Sequence, residues 1–278
     1  LYARASEHKA MLQEKAPAQT ETADESPAST PPLRVYALGE TRVLRGDVQL
    51  TNKDWGSLKA RQLFFYMLSN TGQRREQISE IFWPDAGAEK ARGAFHITAY
   101  RLRRARGSND ILLADGDRYQ INRQMPLWYD VWEFERLLQE ADQIEEQAPA
   151  AAAEKRREAT DLVRGEFCED LPDMEWQSEL RHSIELSYLT ALIKLGEYAL
   201  AHRDPEYALT CFRRVLSRDD LREDAHRGVM RALMMAGDRG AALRHYRYTE
   251  AHIRQEMGAA PDGATTRLYR ELASGRKT

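Results

Sequence analysis

The sequence lacks long apolar runs and has few cysteines. No stretch of about 18 apolar residues occurs, so no membrane-spanning helix is predicted. The first residues, LYARASEHKAMLQEKAP, contain no apolar core of a secretory signal. The two cysteines, Cys168 and Cys211, fit neither a CxxC pair nor a disulfide framework. These absences predict a cytoplasmic protein with two buried, reduced thiols.

Motifs of the common enzyme classes are also missing. The sequence has no Walker A phosphate loop, no dinucleotide-binding glycine motif, no HExxH, no GxSxG and no EF-hand. Its seven histidines are scattered without the spacing of metal ligands. We therefore expect a protein that is not an enzyme, with no catalytic residue, no metal site and no cofactor.

Charge is unevenly distributed along the chain, whose formal net charge is −3. Residues 33–123 hold 16 Lys and Arg against 10 Asp and Glu, a net of +6, which leaves −9 for the rest. This asymmetry indicates a polyanionic partner for the first part of the chain.

The N-terminal region divides into segments of different composition. We interpret residues 1–15, with a short helix over residues 4–15, as the end of an upstream module. Residues 16–32 contain four prolines and no large apolar residue, so they are predicted to form a disordered linker. Residues 33–51 alternate apolar and polar side chains between glycine-containing turns, which predicts three short antiparallel strands.

Three helices and a hairpin follow these strands. Apolar residues at helical spacing predict helices over residues 57–70, 74–83 and 88–106. Two short β runs around an Asp-Gly pair predict a hairpin over residues 111–122. Three helices followed by a hairpin are the arrangement of a winged helix-turn-helix, so residues 33–124 are predicted to form a DNA-binding domain of this class.

The pattern is helical from residue 127 to the end, and residues 125–278 are predicted to form a second domain. Four residues recur 34 positions later: Asp204, Ala208, Leu209 and Phe212 return as Asp238, Ala242, Leu243 and Tyr246. A period of 34 residues, with Ala followed four residues on by an aromatic, is typical of tetratricopeptide repeats. Leu195-Gly196 stands where the first helix of such a repeat has Leu-Gly. The fold class is therefore mainly α with small β, a winged helix followed by an all-α tetratricopeptide-like domain; a coincidental match within an ordinary helical bundle is the alternative.

The third predicted helix, residues 88–106, has two different faces at 100° per residue. One is apolar and is predicted to face the core: Ala91, Phe95, Thr98, Ala99 and Leu102. The other holds our candidates for reading base edges: Arg92, Gly93, His96, Ile97, Tyr100, Arg101 and Arg104. Small residues allow close approach, Arg can bond guanine edges bidentately, and apolar groups can contact thymine methyls.

Other basic residues are candidates for contacts to the DNA backbone: Lys53, Lys59, Arg61, Arg103 and Arg118. Lys59 and Arg61 lie in the first turn of a helix, where free N–H groups also favour phosphate. Arg118 lies beside the hairpin turn, where a wing approaches DNA. Each of them is equally explained as a solvated surface charge. Likewise, an exposed His96 can be idle, and Arg103, Arg104 and Arg106 complement the helix dipole at the C-terminus of the third helix.

Six stretches after residue 32 carry a family resemblance: LRVYALGETRVLRGD, LKARQLFFYMLSNTGQRREQISEIFWPD, ARGAFHITAYRLRRA, YDVWEFERLL, RGEFCEDLPDMEW and MRALMMAGDRGAALRHYRYTEAHIRQEMGAAPDGATTRLY. Through them, residues 33–275 resemble bacterial transcriptional activators of the Streptomyces antibiotic regulatory protein type (SARP). That family joins an OmpR-like winged helix to a tetratricopeptide-like bacterial transcriptional activator domain. The resemblance implies sequence-specific binding to promoter repeats, with the third helix in the major groove and the hairpin as the wing.

The resemblance also implies partners: double-stranded DNA, RNA polymerase, a second copy of the chain on DNA, and an upstream regulatory domain. This sequence departs from the family in having GDRY where a Gly-Gly-Tyr wing is common, and in lacking the Asn or Gln common near Gly93 or His96. We therefore expect its target sequence and wing contact to differ. The alternative is a scaffold that does not bind DNA, whose helical repeat binds a partner or dimerises. The net charge of +6 on residues 33–123 favours DNA.

Overall fold

The computed structural model describes residues 31–274. The predicted upstream module with its helix over residues 4–15, and the predicted linker except for Pro31 and Pro32, lie outside the described residues. From Pro31 onward the chain forms a single unit, whose main apolar core continues from the N-terminal strands into the helices. Below, residues 33–124 are called the winged-helix part and residues 125–274 the helical part.

A four-stranded sheet opens the winged-helix part. β1 (Leu33–Tyr36), β2 (Arg42–Arg45) and β3 (Val48–Gln49) are successive antiparallel strands, which confirms the predicted three. β7 (Leu127–Tyr129) completes the order β3-β2-β1-β7 and pairs in parallel with β1. The prediction of helix from residue 127 onward is therefore wrong at its start, because the chain returns there to the edge of β1.

Four helices fold against this sheet and against each other. They are α1 (Asn52–Trp55), α2 (Leu58–Ser69), α3 (Arg75–Phe82) and α4 (Ala88–Arg106). α2 begins where the Ser57 side chain accepts a hydrogen bond from the backbone N–H of Ala60. The last three confirm the predicted helices, and α4 has the predicted limits. The short α1 was not predicted.

The wing is a three-stranded sheet beside α4. It contains β4 (Gln73–Arg74), β5 (Leu112–Asp115) and β6 (Arg118–Ile121) in the order β4-β6-β5. Gly116 adopts a φ of 60° in the turn between β5 and β6, a conformation that glycine adopts without strain. The predicted hairpin is thereby confirmed, and β4 adds a strand from the connection between α2 and α3.

Between residues 130 and 274, seven helices pack on their neighbours in sequence. They are α5 (Asp130–Ile144), α6 (Pro149–Leu162), α7 (Glu175–Ala201), α8 (Pro205–Leu216), α9 (Glu223–Met235), α10 (Arg239–Met257) and α11 (Gly263–Ser274). The predicted fold class, mainly α with small β sheets, is confirmed. Cys168 and Cys211 are free and buried, as predicted.

The repeated residues have equivalent roles in successive helical hairpins. Asp204 and Asp238 cap α8 and α10, each by accepting a hydrogen bond from a backbone N–H three residues on. The Phe212 ring of α8 is fully buried between Gly196 of α7 and Gly228 of α9. A Cβ atom on either glycine would lie 2.6 Å or 2.5 Å from the ring, so only glycine fits there without a shift. The Leu-Gly signature is thus explained by the aromatic that it accommodates.

Candidate nucleic-acid interface

The inner face of α4 anchors the helix to the wing and to the core. Ala91, Phe95, Thr98, Ala99 and Leu102 are all buried, as predicted. The rings of Phe95 and Tyr119 of β6 meet edge to face with 4.7 Å between their centroids. This packing fixes which side of α4 faces outward.

The outward face of α4 consists of the seven base-reading candidates, and all of them are exposed: Arg92, Gly93, His96, Ile97, Tyr100, Arg101 and Arg104. The exposed fractions of Ile97 and Tyr100 are 55% and 62%. Within residues 31–274, the side chains of these seven residues make no hydrogen bond or ion pair. Large apolar groups beside unpaired guanidinium groups form a surface suited to a partner that is both apolar and anionic.

Gly93 opens a gap in the middle of this face. No atom lies within 4 Å of the place where a Cβ atom would be, so packing does not require glycine there. A glycine inside a helix costs roughly 0.5–1 kcal/mol relative to alanine. Among residues 31–274, no packing at Gly93 compensates for that cost, whereas close approach of a ligand would.

Lys53 extends the basic surface beyond α4. It is exposed on α1, which packs against α4. A Cβ atom on Gly56, at the end of α1, would lie 3.7 Å from Cδ of Arg101, so the turn that follows Lys53 runs beside the outward face. Lys53 is therefore well placed for a backbone contact next to α4.

Three other backbone candidates tie neighbouring elements together. Lys59 donates a hydrogen bond to the carbonyl of Phe82, Arg103 to that of Leu112 at 3.1 Å, and Arg118 to that of Gly72 at 2.9 Å. Each bond leaves other N–H donors of the same cationic group available. Lys59 and Arg118 are exposed and Arg103 is half-buried, so all three can reach a second acceptor at the surface.

Arg61 is engaged elsewhere. Its guanidinium group donates to Oδ2 of Asp170 at 2.6 Å and to the carbonyl of Thr41 at 3.1 Å. The Arg61 side chain is only 16% exposed and points toward the helical part. A phosphate could bind it only by competing with the Asp170 carboxylate.

The tip of the wing is acidic. Asp115 and Asp117 are exposed on either side of the turn, and Asp117 lies 4.0 Å from the guanidinium group of Arg74. Arg118 faces Asp115 across the hairpin, so the wing presents guanidinium groups beside these carboxylates and is less basic than the outward face of α4. The letters GDRY showed the departure from the family pattern, but not that both carboxylates reach solvent.

A groove between α3 and the start of α4 was not predicted. Its volume is about 360 Å³, and its walls include Glu76, Glu80, Trp83, Ala88 and Arg92. The groove meets the outward face at Arg92. Sequence reasoning missed it because the groove depends on the path of the connection between the two helices.

Arg106, although basic, is not part of the interface. It is buried below the end of α4 and donates a hydrogen bond to the carbonyl of Pro31 at 2.8 Å. Burial, followed by repulsion from Arg45, lowers the pKa of its guanidinium group. No cluster of three or more potential metal ligands occurs among the described residues.

Comparisons with known proteins bear on both parts of the chain. Residues 129–273, slightly more than half of the sequence, match the family described as Bacterial transcriptional activator domain. The fold is similar to that of Mycobacterium tuberculosis EmbR, solved in complex with a low affinity phosphopeptide. That similarity has a TM-score of 0.76 at 15% identity, and covers 88% of this chain and 66% of the other, just under two thirds of its length. No curated protein sequence matches significantly.

Proposed function

Because this chain belongs to the bacterial transcriptional activator domain family, we propose that it binds specific sites on double-stranded DNA and recruits RNA polymerase to them. The family is one of transcriptional regulators rather than a class of enzymes. The observation that supports DNA binding is the outward face of α4, where exposed Arg, Tyr, Ile and His side chains surround Gly93 without partners in the described part of the chain.

In this proposal, α4 enters the major groove. Arg92, Arg101 and Arg104 donate bidentate hydrogen bonds to guanine edges, while Ile97 and Tyr100 contact thymine methyl groups. Gly93 lets the helix axis approach the bases, since no side chain stands there.

Backbone contacts come from residues that flank α4. Lys53, Lys59, Arg103 and Arg118 surround the helix and would fix its position on the phosphates. Arg61 is left out, because Asp170 and Thr41 already bind its guanidinium group. At the wing, Arg118 contacts a phosphate, whereas Asp115 and Asp117 contact none, so α4 reads most of the sequence.

The test is selection of binding sites from a random double-stranded DNA library by the purified chain. We expect one enriched sequence, bound with a log K that falls linearly with log salt concentration. Tyr100→Ala with Arg104→Ala should weaken binding to it, by about 1–3 kcal/mol for each base interaction that the substitutions remove. Purified RNA polymerase should then transcribe more from a promoter that carries the site.

A matched pair of exposed residues provides the control. Tyr248 is 60% exposed on α10, with the exposed Arg244 one turn before it. Tyr248→Ala with Arg244→Ala should leave DNA affinity unchanged. No enriched sequence, or equal losses for the two pairs, would refute DNA reading by α4 and favour a protein-interaction scaffold. An enriched site without increased transcription would refute only the polymerase step.

A further inference from the structure

The segment between α6 and α7, residues 163–171, runs along the connection between β1 and β2; we call it the junction segment. The backbone N–H of Arg164 donates to the carbonyl of Leu38 at 2.9 Å, and that of Cys168 to the carbonyl of Ala37 at 2.8 Å. Phe167, which is fully buried, forms β-bridges with Leu38 and Gly39. The helical part thereby pairs with backbone of the winged-helix part, at a place where Ala37, Leu38 and Cys168 are buried.

Asp130, the first residue of α5, is the most deeply buried charged group at this place. Its carboxylate accepts hydrogen bonds from the backbone N–H of Ala37 at 2.8 Å and of Leu38 at 3.1 Å, and from Arg164 at 2.9 Å. Burial raises the pKa of Asp130 to about 6, although these hydrogen bonds oppose the rise. The Asp130 carboxylate thereby joins the start of α5, the connection between β1 and β2, and the junction segment. Leaving any of its hydrogen-bond donors unpaired would cost free energy.

A second polar contact lies on the other side of the junction segment. Asp170 accepts hydrogen bonds from the backbone N–H of Thr41 at 2.7 Å and from the Thr41 hydroxyl at 3.1 Å. The same carboxylate pairs with Arg61 of α2 at 2.6 Å. Since α2 packs against α4, this ion pair connects the helical part to the scaffold of the outward face.

The backbone of the junction segment is strained to fit. Cys168 has a φ of 52°, a left-handed conformation that costs a non-glycine residue roughly 1–3 kcal/mol. Opposite it, Gly39 has a φ of 126°, and a Cβ atom there would lie 3.1 Å from the backbone nitrogen of Gly165. Strain of this kind persists only where the surrounding contacts are strong enough to hold one conformation.

We infer that the junction segment locks the winged-helix part to the helical part as a single rigid body, in which Asp130, Asp170 and Arg61 are positioning residues for activation. They touch neither DNA nor polymerase, but they set where the helical part stands relative to DNA held by α4. A polymerase subunit bound to the helical part is then presented at a fixed place on the promoter. The rigidity is a property of the chain alone, whereas its role in activation rests on the proposed function.

The rigidity can be measured without DNA or polymerase. Spin labels on Gln120→Cys in β6 and Arg267→Cys in α11, both exposed, report the distance between the two parts, while the native cysteines are buried. We expect one narrow distance distribution for the otherwise unchanged chain, and a broad one with Asp170→Asn and Arg61→Gln together. Glu154→Gln is the control, because Glu154 forms an exposed ion pair with Arg157 within α6. A broad distribution in the unsubstituted chain, or a narrow one in the double variant, would overturn the inference.

The functional arm uses the DNA site selected by the unlabelled protein. The Asp170→Asn and Arg61→Gln double variant should keep its DNA affinity within about twofold, since distant sites act independently. Its transcriptional activation should fall at least about tenfold, because a flexible link loses the benefit of fixed geometry.

A folding defect alone would lower DNA binding and activation together, so an equal loss of the two contradicts the positioning role. Unchanged activation with a broadened distance distribution contradicts it as well. If the unsubstituted chain binds no DNA, the proposed function fails while the distance measurement still decides rigidity.

Discussion

Glycine has opposite surroundings in the outward face of α4 and in the helical part. At Gly93 the space for a Cβ atom is empty, whereas at Gly196 and Gly228 that space is filled by the Phe212 ring. At Gly196 and Gly228, the fold itself requires glycine. In α4, the fold would be more stable without it. Gly93 lowers the stability of the helix and gains no packing in return, so we expect a ligand to approach α4 there.

The same contrast holds for the side chains around these glycines. Phe212 is fully buried, while Tyr100 and Ile97 are more than half exposed. Substitutions in the helical part should therefore change stability, and substitutions in the outward face should change binding.

The largest effect is expected at Phe212. Replacing it with alanine removes a ring from between two helices whose glycines cannot fill the space. Phe212→Ala should lower the free energy of unfolding by about 3–5 kcal/mol, measured by urea denaturation. Tyr100→Ala, on the outward face, should change it by no more than about 0.5 kcal/mol. Similar losses for the two variants would remove the distinction between the regions.

The next effect is on the pH dependence of stability, and it concerns a buried histidine pair. His226 Nε2 lies 2.8 Å from the carbonyl oxygen of Asp220, and His226 Nδ1 lies 3.0 Å from His245 Nε2. Burial lowers the pKa of both histidines, and that of His245 to about 4. An unfolded histidine has a pKa near 6.5, so between pH 4 and 6.5 the unfolded chain binds more protons. The contribution of this histidine pair to stability should therefore fall as the pH is lowered through this window.

His245 should contribute roughly 2 kcal/mol to that fall, after allowance for its partial exposure. His245→Gln should flatten the curve of unfolding free energy against pH between pH 6.5 and 4. His96→Gln, in the exposed outward face, should not. Asp130 acts in the opposite direction: its pKa is raised to about 6, so its contribution is present at low pH and lost as the pH rises through 6. A curve that His245→Gln leaves unchanged would contradict the assignment to the buried pair.

The smallest effects on stability are expected from replacing one glycine by alanine in each region. Gly228→Ala should destabilise the chain by about 1–3 kcal/mol, because its methyl group overlaps the Phe212 ring. Gly93→Ala should stabilise it by about 0.5–1 kcal/mol through helix propensity, and should weaken binding to the selected DNA. Thermal unfolding measures the loss of stability in Gly228→Ala and the gain in Gly93→Ala. A titration with DNA measures the weaker binding of Gly93→Ala. Gly93→Ala binding DNA as tightly as the unsubstituted chain would show that this gap is not used.

The elements that sequence predicts well are long and periodic. α4 has the predicted limits because its buried residues recur at helical spacing between Gly87 and Gly107. β7 was missed because three residues are too short to show a period. The sequence does contain one sign of the short helix α1, because Thr51 and Asp54 have the spacing of the capping box that they form across its first turn.

The junction could not be predicted, because its partners are far apart along the chain. Arg61 looked like a phosphate contact, since a basic residue in the first turn of a helix is common at DNA surfaces. Its ion-pair partner, Asp170, lies 109 residues away and carries no local sign of the pairing. Asp130 likewise follows a short strand and is the first residue of a helix, as many solvated acidic residues are. The sequence shows which side chains of α4 are candidates, and only the three-dimensional structure shows which cations are already paired.

The parallel pairing of β1 with β7 also bears on the order of folding. Almost the whole winged-helix part lies between these two strands, so their pairing closes a long loop, which costs entropy and slows folding. The backbone N–H and carbonyl of Ala37 form their hydrogen bonds later still. Their partners, the Asp130 carboxylate and the Cys168 N–H, come after β7 in the chain. During synthesis from the N-terminus, the first sheet therefore cannot be completed until β7 has left the ribosome, and the hydrogen bond to the carbonyl of Ala37 cannot form until the junction segment has followed.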